Sequence, residues 1–115
     1  MPLKRLLTEF GMGSSLRRQD YTEAATRAVK DALWHNSINL AELFGKAKED
    51  MVITVEVAVA QPDQIDADKI AAIFPYGQVT VTPVRGGLDV PRPAGNPTVI
   101  ANVAISVALD VEAAA

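Results

Sequence analysis

Residues 99–109 alternate without a break: Val99, Ala101, Val103, Ile105, Val107 and Leu109 fall on one side, Ile100, Asn102, Ala104, Ser106 and Ala108 on the other. A period of two is the spacing of an extended chain, whose successive side chains point to opposite faces. The stretch predicts a long strand with one wholly aliphatic face, and such a face has to be covered. Residues 51–60 repeat the pattern, with Ile53, Val55, Val57 and Val59 on one side and Thr54, Glu56, Ala58 and Ala60 on the other. The cover is written upstream. Asp20 and Glu23 have the spacing of a helix N-cap and its reciprocal acid, and Tyr21, Ala24, Ala25, Ala28, Val29, Ala32 and Leu33 follow at the spacing of a single helical face. That face is mainly alanine, so the helix backbone is expected to lie close to the sheet.

The remaining elements are shorter. Residues 3–10 read as a first strand running into a glycine-bearing loop at Gly11-Met12-Gly13-Ser14-Ser15. Asn39, Glu42 and Gly45 bracket a brief second helix, and Asp66 caps a third that carries Ile70, Ala71, Ile73 and Phe74 and stops at Pro75. Residues 78–84 form a strand whose Pro83 assigns it to a sheet edge. Residues 86–97, rich in proline and glycine, are expected as a flexible loop and candidate lid, and residues 110–115 as a frayed tail. The order is β-α-(α)-β-α-β-β: a single α/β (α+β) domain over residues 1–115, with a four-stranded mixed sheet and helices on one face. The other face collects small, half-polar residues without the lysines that solvate an open sheet, which predicts a homo-oligomer packed face to face with Glu56 and Asn102 along the seam. The alternative is a monomer with an exposed sheet.

Composition removes several functions. Eleven Lys and Arg against fourteen Asp and Glu give a net charge of −3, the wrong sign for a chain whose main partner is nucleic acid or an anionic membrane. With no cysteine and a single histidine, His35, thiolate chemistry is impossible and a histidine metal site has few ligands; Glu9, Asp20 and His35 show no metal-ligand spacing. No metal or cofactor is expected. No apolar run reaches the roughly 18 residues of a membrane span, and Met1-Pro2-Leu3-Lys4-Arg5 is not followed by a signal-type core, so a cytoplasmic protein is the expectation.

Several ordered words, namely Thr8-Glu9-Phe10-Gly11-Met12-Gly13, Gln19-Asp20-Tyr21-Thr22, Phe74-Pro75-Tyr76-Gly77, Gly86-Gly87-Leu88 and Ile100-Ala101-Asn102, together resemble a family of small bacterial conserved hypothetical proteins of about 120 residues named after a Listeria locus. The resemblance covers nearly the whole chain and brings no reaction with it. The element order is also similar to the chorismate-mutase-like trimeric fold of monofunctional chorismate mutases and YjgF-type imine deaminases. That likeness implies a trimer with ligand sites in clefts between subunits.

The candidate site residues follow from local chemistry. Ser14 and Ser15, in a glycine turn before a helix start, with Arg17 or Arg18 beside them, could hold a carboxylate or phosphate. Glu9, next to that turn, is the candidate general acid or base, since an acid buried at a seam has a raised pKa. Tyr76 in its turn, Arg85 at the mouth of the lid and Asn102 within an apolar strand complete the set of ligand contacts. The expected function is binding of a small anionic or amide-bearing metabolite at a subunit interface, either as a binding protein or as an enzyme of hydrolytic or proton-transfer type. The alternative is a non-catalytic structural or regulatory oligomer.

Overall fold

The computed structural model describes residues 3–34 and 47–110. The helix expected from Asn39 to Gly45 lies outside the described residues, as do His35 and residues 111–115. The chain builds β1 (Lys4–Ser15), α1 (Tyr21–Trp34), β2 (Val52–Val59), α2 (Ala67–Ala71), β3 (Gln78–Arg85), β4 (Leu88–Val90) and β5 (Thr98–Leu109), with single 3-10 turns at Lys48–Asp50 and Pro62–Gln64. The strands form one mixed sheet in the order β1-β5-β2-β3, and β4 pairs with β5. β5 is antiparallel to β1, β2 and β4, while β2 and β3 run parallel across the α2 connection. Parallel neighbours need such a crossover.

The long alternations behave as their period demands. Ile53, Val55, Val57 and Val59 of β2, and Val99 through Leu109 at the odd positions of β5, are buried against α1 and α2. Removing each Val or Ile side chain from water contributes about 1.5–3 kcal/mol, and these aliphatics carry most of the core. The helix stripe fits its expectation equally well: Tyr21, Ala24, Ala25, Ala28, Val29 and Ala32 are all buried. The Asp20 carboxylate accepts from the Glu23 amide at 2.9 Å, and Asp66 accepts from the Lys69 amide at 3.2 Å, so both predicted caps form. β3 is an edge strand, as Pro83 requires.

Two expectations are corrected. The first strand does not end at Phe10 in a glycine loop; it runs through Gly11 and Gly13 to Ser15, paired with β5 along its length. Neither glycine has a positive φ. Both face α1, and a Cβ on Gly11 would stand 2.7 Å from the Ala32 amide nitrogen and closer still to the Ala28 carbonyl oxygen. A Cβ on Gly13 would meet the Ala24 carbonyl and the Ala28 amide at similarly impossible range. These glycines exist so that the helix backbone can touch the strand, not so that the chain can turn. Among the described residues the sheet also has five strands rather than four. The extra one, β4, lies inside the segment 86–97 and pairs Leu88 with Ile100 and Val90 with Thr98. Gly87, at φ +63, makes the turn into it.

α1 also guards the β1 edge. The Met12 amide donates to Asp31 Oδ2 at 3.0 Å, and Arg27 Nη1 donates to the Ser14 carbonyl at 2.6 Å, so helix side chains occupy main-chain groups that an edge strand would otherwise offer to another strand.

Candidate functional site: a basic groove beside a helix-free sheet face

With both helices on one side, the even-numbered residues of β1 and β5 look outward from the other. Phe10 pairs with Ala104, Met12 with Asn102 and Ser14 with Ile100, while Leu88 and Val90 extend the row through β4. Phe10 is 72% exposed, Met12 59% and Leu88 57%, so this half of the face is apolar and wet. The other half is hydroxylic: Thr8 and Ser106 share a hydrogen bond at 3.3 Å, and Thr54 and Thr80 continue the row across β2 and β3.

The sequence-derived site residues are not gathered in one place. Ser14 and Asn102 lie on the open face as diagonal neighbours, with Asn102 exposed. Glu9 lies on the opposite face, across from Ile105 and half-buried. Five residues of extended chain place it about 17 Å from Ser14. Once Gly11 and Gly13 are strand residues, the loop that was to bring Glu9 and the serines together does not exist. Tyr76 packs half-buried against the core before β3, and Arg85 is exposed at that strand's far end. Ser15 is buried, and its hydroxyl accepts from the Asp20 amide at 3.3 Å, tying the strand end to the start of α1.

What the structure does assemble is a groove along the first half of α1. One cavity of about 240 Å³ is lined by Ser15, Leu16, Arg17, Arg18, Glu23 and Arg27. A second, of about 300 Å³, shares Arg18, Glu23 and Arg27 and adds Asp20, Thr26, Lys30 and Lys69. Five cations thus meet two acids, in a chain whose net charge is −3. Neither acid is idle, because Asp20 caps the helix and Glu23 pairs with Arg27 at 2.6 Å. Of the sequence-derived residues, Ser15 and Arg17 belong to this groove. Arg27, Lys30 and Lys69 were missed, although Arg27 and Lys30 share the polar face of α1 at the i, i+3 spacing. The positive groups are side chains, not the free amides of a glycine turn. The groove's floor is held from the loop side: Thr98 Oγ1 donates to the Leu16 carbonyl at 3.0 Å and Asn96 Nδ2 to the Arg17 carbonyl at 3.5 Å.

A second polar cluster lies under β4. The Tyr21 hydroxyl donates to Asp89 Oδ2 at 2.5 Å and accepts from Gln19 Nε2 at 3.3 Å, while Asp89 Oδ1 is buried without a hydrogen-bond partner. Burial first, and the hydrogen bond to Asp89 second, raise the Tyr21 phenol above its ordinary value of 10.0. Gln19 reaches it from a left-handed backbone conformation, φ +52. Among the described residues, no three His, Asp or Glu side chains are placed to hold a metal, and no helix is long and apolar enough to cross a membrane.

Comparison with known proteins agrees with the fold and shows no specific activity. No curated protein matches the chain. The crystal structure of an FtsZ-like protein of unknown function from Nostoc punctiforme PCC 73102 is similar at 35% identity and a TM-score of 0.88, over 95% of this chain and 98% of that one. Residues 5–107 match the Lin0512 family of conserved hypothetical proteins, and the chain belongs to that family.

Proposed function

We propose that the protein is a homo-oligomer that binds a small anionic metabolite in the groove at the start of α1, with its helix-free sheet face as the subunit surface. The observation that carries this reading is a single juxtaposition. Leu16, 60% exposed, lines the cationic groove of Arg17, Arg18 and Arg27 and follows two residues after Ser14, the last residue of the open-face row of β1 that also carries Phe10 and Met12. Apolar side chains of that size left in water on one contiguous face mark an association surface. Packing copies through it places the groove at the rim of the seam, where a neighbouring subunit can close it. The similarity of the element order to chorismate-mutase-like trimers makes three subunits the expected number. Glu9 does not line the groove, and the two carboxylates that do are engaged, Asp20 as the helix cap and Glu23 with Arg27, so binding without turnover is the simpler form of the proposal.

A second reading, a structural or regulatory assembly with no ligand, is favoured by the same exposed face and by the likeness to a protein described as FtsZ-like. Light scattering and a thermal-shift screen against metabolites separate the two. The first reading expects a mass above 12.3 kDa together with a set of anions that raise the melting temperature by mass action. A large mass with a flat screen favours the second, and a 12.3 kDa species removes the subunit surface from both.

A further inference from the structure

The two cavities of the groove share Arg18, Glu23 and Arg27. Arg27 is held on one side by Glu23 and on the other by the Ser14 carbonyl, both at 2.6 Å, so the Arg27–Glu23 pair forms a fixed divider. Arg17 lines the first cavity alone, Lys30 and Lys69 line the second beside the cap residue Asp20, and Arg18 reaches both. Resting on the anion-binding reading above, we infer that the groove takes a linear phosphate-bearing ligand with a doubly charged group at each end, lying across the Arg27–Glu23 divider. Arg17 at one end, Lys30 and Lys69 at the other and Arg18 reaching both match phosphate groups, which carry about −1.5 to −2 charges at neutral pH, better than carboxylates, which carry one. Arginine supplies fork geometry for phosphate oxygens at the first end, and the two lysine ammonium groups supply point charges at the second. The helix N-terminus is not the recognising element, since Asp20 already occupies the Glu23 amide. The cavities, about 240 and 300 Å³, suit a small molecule rather than a polymer.

Calorimetric titration of the wild-type protein with inorganic phosphate, tripolyphosphate and adipate at matched ionic strength tests this. Tripolyphosphate is expected to bind at least tenfold more tightly than phosphate, and adipate more weakly than tripolyphosphate. Lys69→Ala should reduce the tenfold advantage to less than threefold while leaving phosphate binding within twofold. Arg18→Ala should weaken both phosphate compounds, and Arg85→Ala, outside the groove, should change neither. Phosphate and tripolyphosphate binding equally well, or a Lys69→Ala advantage that persists, overturns the two-ended ligand and leaves the anion groove standing. Adipate binding as tightly as tripolyphosphate overturns the phosphate assignment. If none of the three binds, the anion reading itself falls and the inference with it.

Discussion

The two faces of the sheet are made from the same strands and obey opposite rules. On the covered face the middle of β1 meets backbone: Gly11 and Gly13 lie against the carbonyls and amides of Ala24, Ala28 and Ala32, and no side chain larger than hydrogen fits at those two positions. On the open face the intervening residue is Met12, and before it comes Phe10, both projecting into water. A single strand therefore alternates glycine and large apolar residues because one side approaches a helix backbone and the other approaches nothing within the subunit. Close packing makes the first side intolerant of volume, and its absence leaves the second free to vary until something covers it.

The sharpest way to break this comparison is to add one methyl group to the crowded side. Gly13→Ala puts a Cβ 2.7 Å from that of Arg27 and inside contact with two backbone atoms of α1, so the helix has to lift off β1. Loss of about 3 kcal/mol or more is expected in denaturant unfolding, at the upper end of what overpacked cores show. Loss below 1 kcal/mol would mean that α1 can shift along the sheet.

A smaller effect is expected where the covered face ends. Tyr21→Phe removes the donor to Asp89, leaving a partly buried carboxylate without its hydrogen bond, and about 1–3 kcal/mol should be lost. The pH dependence has a definite sign. The phenol is raised above 10.0 in the folded state, so the unfolded chain releases its proton first as pH rises. The stabilisation is therefore complete below pH 10 and declines as the pH climbs through the higher folded-state value. Wild-type protein should lose stability above about pH 10 by an amount that Tyr21→Phe does not show, measured by urea midpoints across that range.

What the sequence makes legible divides along the same line. The period-two runs of β2 and β5, the 3.6-residue stripe of α1 and the Asp20 and Asp66 caps are local patterns, and each appears as read. Gly11 and Gly13 misled because glycine is the usual punctuation of a turn, and their actual reason lies outside the strand, in alanines placed four apart at Ala24, Ala28 and Ala32. The signal was present as a match between a two-residue and a four-residue spacing, legible only once the helix is laid on the strand. β4 has three residues between Gly87 and Pro91 and is a strand only because β5 offers Ile100 to Thr98 as partners. The groove is harder still, since Arg17, Lys30 and Lys69 come from a loop and two different helices and converge through packing alone. Grouping Glu9 with the serines failed for a related reason: the grouping needed a bend, and the chain stays straight.

The smallest expected change tests the open face, and its smallness is what discriminates. In an isolated subunit Phe10 is 72% exposed and Met12 59%, so replacing both with serine removes almost no buried area and should leave unfolding within about 0.5 kcal/mol of wild type at high dilution. If copies associate through this face, the wild-type melting temperature rises with protein concentration, because association binds only the folded state. The Phe10→Ser, Met12→Ser double variant should lose that dependence while keeping the dilute value. Gly13→Ala should do the reverse, lowering stability at every concentration and leaving any dependence in place. Identical concentration dependence in wild type and double variant would show that association uses another surface, and the open face would then be an ordinary wet sheet.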